Sequence, residues 1–499
     1  MERILIRAGV APWAEYNALD VITDKIIGNN TGNLLFANSI TRLVATADSR
    51  VDFISDLTLV KKQITAQEIN ENYDRLILPM ANAFREDFAR KCLKHWTALI
   101  RQLTIPVTVT GIGIQLPYEP HLEQPREFDG AARDFIAAVL DHSASVGVRG
   151  QITYDYLKGL GFSQIDVTGC PSLALNGPGL PLREKQPLTP ESKLCFTGSV
   201  SNPPDFKKFA VRCTERFPNT YFVPQFIDDL RLMYLGIPHP DTADSRVLHP
   251  TNLDHPVFVE DKARFFINLP SMFAFNREMD FNYGTRIHGA IGNILCGVPS
   301  LLFPTDARIR ELAEYHNIPA SAVTPDTDLT ALYDQTDFRQ VNNGHAERFW
   351  HLIDFLNENG IKTIYDDRTG TPARSLYDEK TAATSYAQPV HSMLVRPPEE
   401  IARRVDTAVR LQRKEIEDDS RLATQLRDSQ RKVTQLQERN KKQDAQIQAL
   451  KEERKALKTE LKATKKPLRR LAWYQRTSTF GIGLARLKKK LRRLLGKEK

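Results

Sequence analysis

Tyr283-Gly-Thr-Arg-Ile-His-Gly-Ala-Ile-Gly-Asn-Ile-Leu-Cys-Gly-Val-Pro-Ser-Leu-Leu-Phe303 reads as a strand end, a turn, a helix and the start of another strand. Met279-Asp-Phe-Asn-Tyr283 supplies the end of a buried strand, and Gly284 lets the backbone turn. Apolar residues at helical spacing run from Ala290 to Cys296; Gly297 ends that helix and Pro299 prevents its restart. Ser300-Leu-Leu-Phe303 is short and apolar, like the next parallel strand. In open α/β sheets ligands bind beyond the carboxyl ends of strands, where helix N-termini offer unpaired N–H groups to anions. Arg286 and His288 stand at that junction. The first can hold a carboxylate or phosphate, and the second can move a proton near neutral pH.

The same alternation extends outward. Met1-Glu-Arg-Ile-Leu-Ile-Arg7, Arg75–Pro79, Ile105–Thr110, Ser145–Arg149 and Ile165–Thr168 are strand-like, with helical patterns over Phe84–Leu103, Asp129–Leu140 and Gln151–Leu160. Gly111-Ile-Gly113 follows a strand directly and predicts a tight turn at its carboxyl end. This spacing predicts a doubly wound parallel sheet over residues 1–180. Asn176 to Ser192 is a Pro- and Gly-rich linker, and residues 193–364 predict a second α/β domain carrying the opening motif. Residues 365–400 show little periodicity and are expected to be an extended, partly ordered connector.

A chain of 499 residues is too long for one core. Its 41% apolar and 26% charged content describes a soluble protein, and five scattered cysteines fit reduced thiols better than disulfides or zinc. No apolar run suits a signal peptide or a membrane span, so the expected location is the cytoplasm. The net charge of +8 is local in origin: residues 465–499 hold 13 Lys/Arg and one Glu, leaving the remainder mildly acidic.

Between 401 and 464 there is no Gly or Pro. Leu426, Val433, Asn440, Ile447 and Leu461 recur at multiples of seven, and Leu436, Leu450 and Leu457 lie three beyond such positions. This is a coiled-coil seam, interrupted by Arg454 and Gln443, and it predicts a homo-oligomer. A single solvated helix is the competing reading. In the 465–499 tail, Leu484, Leu487, Leu491, Leu494 and Leu495 fall on one helical face with Lys and Arg opposite, near Trp473, Tyr474 and Phe480. Such a basic amphipathic helix, over residues 466–499, lies on an anionic membrane surface. A solubilising end binding RNA without specificity is the alternative, but phosphate contacts would not need the leucine face.

Gly284-Thr-Arg-Ile-His-Gly-Ala290 followed by Gly297-Val-Pro299 resembles the signature of the polysaccharide pyruvyl transferase family. Gly28-Asn-Asn-Thr-Gly-Asn33, Gly111-Ile-Gly-Ile114, Ser145–Arg149 and Thr168-Gly-Cys-Pro171 resemble further family elements in the right order. Asn33 and Cys170 stand where the family often has Asp, and Asp306-Ala-Arg-Ile-Arg310 where it has a basic residue, often Lys. The resemblance covers about residues 1–330. It implies two Rossmann-like domains facing a cleft, as in GT-B glycosyltransferases, and pyruvate transfer from phosphoenolpyruvate to two hydroxyls of a glycan.

Such a donor carries a phosphate and a carboxylate, which calls for arginines. By motif position these are Arg149, Arg286 and Arg308, with Arg310 a near-equal competitor to Arg308. Gly111, Gly113 and Gly289 are expected to allow close substrate approach, and His288 to act as general acid or base. Cys170 is expected to be a small packed residue. Neither a metal nor a cofactor is expected, phosphoenolpyruvate being a substrate. The remaining alternatives are a nucleotide-sugar glycosyltransferase of the same architecture and a non-catalytic assembly factor working through its coiled coil.

Overall fold

The computed structural model describes residues 1–239, 250–477 and 479–494. The chain divides into two compact units, Met1–Ala408 and Val409–Lys499.

The first unit contains two four-stranded parallel sheets. One runs in the order Ser49–Ile54, Glu2–Arg7, Arg75–Pro79, Val107–Thr110, and the other Thr220–Phe222, Leu194–Thr197, Phe281–Gly284, Ser300–Leu302. In each, the first strand of the sheet lies between the second and the third. The winding direction therefore reverses there, which opens a crevice at the carboxyl ends of those two strands. The strands are apolar on both faces because helices cover both sides, as Ile4-Leu5-Ile6 and Leu76-Ile77-Leu78 show. Trp96, Phe135 and Leu157 fill the first core. Phe196, Phe206, Phe209, Tyr283 and Phe303 stack around the second.

Three local features differ from the sequence expectation. The first sheet is not continuous to residue 180: Val146–Val148 and Ile165–Val167 form their own pair, linked through the Ile112–Val148 bridge. The ladder breaks at Gly111, whose positive φ of 67° turns the chain. The stretch Phe84–Leu103 is not one regular helix. Asn82–Phe84 is a short strand, and the following helix contains a π-turn at Ala89–Leu93 before continuing as Lys94–Ile100. Finally, the partly ordered connector expected over residues 365–400 contains regular structure. It includes the helix Leu376–Ala383, whose Tyr377 hydroxyl donates to Asn38 Oδ1 (2.9 Å), while Arg42 pairs with Asp378.

The helix Pro398–Thr477 is longer than expected and passes through Pro467. Its first turns dock by Arg404, whose guanidinium lies 3.9 Å over the Tyr234 ring. Further along, Leu436, Ile447, Leu450 and Leu457 are exposed. The side chains of Leu426 and Val433 lie outside the described residues. A second helix, Thr479–Leu494, lies within the 466–499 tail. Leu487 and Leu491 are exposed on it. Leu495, and the side chains of Tyr474, Phe480, Leu484 and Leu494, lie outside the described residues. No described helix is long and apolar enough to cross a membrane.

Candidate active site

The strand Phe281–Gly284 ends against its neighbour. A Cβ on Gly284 would lie 2.1 Å from the Thr197 carbonyl oxygen, so only glycine fits this approach. The helix begins at Ile287, three residues earlier than the apolar spacing indicates, with Arg286 as its N-cap and His288 inside its first turn. Ile287, Ile291 and Ile294 are buried, which holds the polar first turn toward the crevice. Gly289 lets the helix press on the first strand: a Cβ there would lie 2.7 Å from Thr197 Cβ.

Both crevices open into one cavity of about 1280 Å³. Residues just past the strand ends line it, Ala8, Met80 and Ala81 from one sheet and Ser199 and Thr285 from the other. Arg149, Arg286, His288 and Arg308 line it too. Gly111, Gly113 and Gly289 do not, and their small size answers to protein neighbours instead of substrate. A Cβ on Gly113 would sit 2.2 Å from Arg149 Cδ, while the Gly111 carbonyl accepts from Arg149 Nε and Nη2 (3.2 and 3.0 Å). The Gly-Ile-Gly turn is thus the cradle of an arginine that is only 1% exposed.

The three arginines are held by different means. Arg149 rests on a carbonyl, and burial lowers its pKa. Arg286 lies 4.3 Å over the Phe226 ring, with a buried Nε that has no partner. Burial and the Arg308 charge push its pKa down to about 10, against the opposing pull of Asp229. Arg308 pairs with Asp306 (3.0 Å), and Asp306 caps the helix Ala307–His316 through the Ile309 N–H. Arg310 points elsewhere, pairing with Glu119 at 2.8 Å, so of the two candidates Arg308 faces the cavity.

His288 departs from the near-neutral titration expected of it. Burial, together with the charges of Arg149, Arg286 and Arg308, lowers its pKa to about 3. The imidazole is therefore neutral near pH 7. Its Nε2 lies 3.6 Å from Cys170 Sγ, which also contacts Ser172 Oγ at 3.1 Å. Cys170 is buried, and its N–H donates to His316 Nε2 (3.0 Å). The other imidazole nitrogen faces the Gly28–Asn33 loop, where a Cβ on Gly32 would lie 2.5 Å from Nδ1.

That loop clasps the second half of the unit. Thr31 N–H donates to the Gln225 carbonyl, Ile227 N–H to that of Asn29, and Asn30 pairs with Phe226. Asn33 fastens the loop by donating from Nδ2 to the Ile27 carbonyl (3.0 Å). The sequence marked this loop as rich in Asn and Gly. Phe226 and Asp229 gave no comparable signal, because a phenylalanine under an arginine reads like any core residue. Asp229 is buried, and burial raises its pKa to about 7.

A family model described as polysaccharide pyruvyl transferase matches residues 30–306. No curated protein matches. Among solved structures, a UDP-GlcNAc 2-epimerase from Methanocaldococcus jannaschii is 9% identical over 72% of this chain and 99% of its own, with a TM-score of 0.41. The S. aureus MnaA protein in complex with UDP is 11% identical over 72% and 99%, with a TM-score of 0.39. An uncharacterised protein from Klebsiella pneumoniae is 15% identical over 65% and 93%, with a TM-score of 0.36.

Proposed function

Because this chain belongs to the polysaccharide pyruvyl transferase family, matched over residues 30–306, we propose that it transfers pyruvate from phosphoenolpyruvate to two hydroxyls of a glycan acceptor, closing a cyclic ketal. The observation that carries this reading is the convergence of Arg149, Arg286 and Arg308 on His288 within one cavity. Arg286 and Arg308 hold the donor's phosphate and carboxylate, with Arg149 contributing from the opposite half.

The reaction joins both acceptor oxygens to C2 of the donor. As the first hydroxyl oxygen bonds to C2, the methylene carbon takes a proton and becomes a methyl group. The second hydroxyl then displaces phosphate from C2. Of the two hydroxyl protons, one ends on the methyl carbon and the other leaves with phosphate. The donor's phosphate and carboxylate would offset the arginine charges that help hold the His288 pKa down, and the imidazole then accepts the first hydroxyl proton and returns it to the methylene carbon.

Incubating the protein with phosphoenolpyruvate and glycan should add the mass of a pyruvyl ketal and release phosphate. His288→Ala should abolish both while leaving the far-ultraviolet circular dichroism unchanged. Selective binding of nucleotide sugars with no affinity for phosphoenolpyruvate would overturn the assignment.

The acceptor is a cell-surface polysaccharide or its lipid-linked precursor. The exposed seam on Pro398–Thr477 pairs with further copies of this chain, and the Leu487–Leu491 face of the basic tail rests on an anionic membrane. Tethering of this kind raises the effective concentration of a membrane-held acceptor.

A further inference from the structure

The cavity is much larger than phosphoenolpyruvate requires, and it has a second basic region. Nine Lys or Arg residues line it against four Asp. Three of those carboxylates are already committed, Asp56 to Arg7, Asp87 to Arg85 and Asp306 to Arg308. Lys25, Arg90, Lys91 and Lys94 line the same cavity with no ion-pair partner among the described residues.

Their placement is built into the backbone. Arg90 and Lys91 sit within the π-turn Ala89–Leu93, and Lys94 comes directly after it. A π-turn adds one residue to a helix and so rotates the side chains beyond it by about 100°. The buried face of this helix stays anchored, because Trp96 Nε1 donates to Asp56 Oδ1 (2.9 Å) and Leu93 is fully buried. Lys25 adopts a left-handed conformation (φ 50°) at the end of Ala18–Asp24, and its carbonyl accepts from Gly28 N–H (2.7 Å). The turn carrying Lys25 therefore leads directly into the loop over His288.

We propose that Lys25, Arg90, Lys91 and Lys94 form a second anion subsite, which takes a phosphate or diphosphate group carried by the acceptor. This rests on the pyruvyl transfer reading, in which the arginines around His288 already serve the donor. Four cations from two short segments match a compact multivalent anion, and lysine binds phosphate as a point charge. Simple steering of the donor by a basic cleft is the competing physical explanation.

Calorimetric titration of inorganic pyrophosphate into the full chain saturated with phosphoenolpyruvate, at about 0.15 M salt, tests the proposal. Binding of pyrophosphate to the donor-loaded protein is expected. Lys91→Glu/Lys94→Glu, and independently Lys25→Glu, should weaken it by about tenfold or more, given the strength of charged hydrogen bonds. Phosphoenolpyruvate affinity should stay unchanged in both variants. Competition between the two ligands, or pyrophosphate binding that is insensitive to the substitutions, would overturn the subsite. Equal weakening of phosphoenolpyruvate binding would assign the cluster to donor steering and overturn it as well. Farnesyl diphosphate and uridine diphosphate as second ligands then distinguish a prenyl-linked from a nucleotide-linked acceptor by their relative affinity. If the titration succeeds but phosphoenolpyruvate yields no ketal, the transfer reading fails and with it the assignment of this anion subsite to an acceptor.

Discussion

His288 shows how far a side chain's surroundings can move its chemistry. Burial and three arginines keep it neutral, and the proposed transfer uses it in that form. His316, also buried, has a pKa lowered to about 3 chiefly by burial. Both histidines bind a proton in the unfolded chain below about pH 6.5 but not in the folded one. The unfolded state therefore holds more protons between about pH 6.5 and 3, and stability falls as pH falls through that window. Each contributes a slope approaching about 1.4 kcal/mol per pH unit well below pH 6.5. His316→Gln, which retains an acceptor for the Cys170 N–H, should flatten the fall in melting temperature between pH 7 and 5. Gly32→Ala tests the packing around His288 more directly. The added methyl would lie 2.5 Å from Nδ1 and 2.9 Å from Asn30 Oδ1, so the imidazole must shift. A displacement of that kind is expected to lower kcat by roughly a hundredfold with the fold intact, measured as phosphate release.

The helix Ala307–His316 joins the two halves of the first unit. Ala307 N–H donates to the Leu116 carbonyl, and Glu311 accepts from Thr153 N–H and Oγ1 (2.9 and 2.8 Å). Thr153 lies in the first turn of Gln151–Gly159, the helix directly after Arg149 and Gly150. One helix thus presents Arg308 and, through Glu311, supports the segment after Arg149. Glu311→Ala leaves the buried Thr153 N–H unsatisfied and should cost about 1–3 kcal/mol of stability, read from urea unfolding. The KM for phosphoenolpyruvate should rise as well. This coupling was not legible in the sequence, where Glu311 is one carboxylate in a charged helix. Arg308 was legible by position, but the choice over Arg310 came from the cap at Asp306 and the pairing of Arg310 with Glu119.

Residues 409–499 form a unit of their own, whose helices expose leucines and carry much of the positive charge. Ending the chain at Ala408 should reduce the oligomeric state measured by light scattering and leave the α/β unit folded. Removing only residues 466–499 should preserve the oligomer while abolishing flotation with anionic liposomes. Equal flotation of both forms would exclude the lipid role.

By itself, the sequence determined the alternation of strands and helices, the parallel pairing and the Arg286–His288 junction. Apolar runs, turn glycines and helix stops are local signals, and local signals survive without a fold. The motifs also led to Arg149 and Arg308 from distant positions. Only the tertiary structure decided what these residues do to one another. The Gly111–Gly113 turn became an arginine cradle, Gly32 a neighbour of the His288 imidazole, and Phe226 a platform for Arg286. The physical reason is that burial and Coulomb interaction depend on separation in space. The neutrality of His288 arises from burial together with the charges of Arg149, Arg286 and Arg308, the first of which is more than a hundred residues away in the chain.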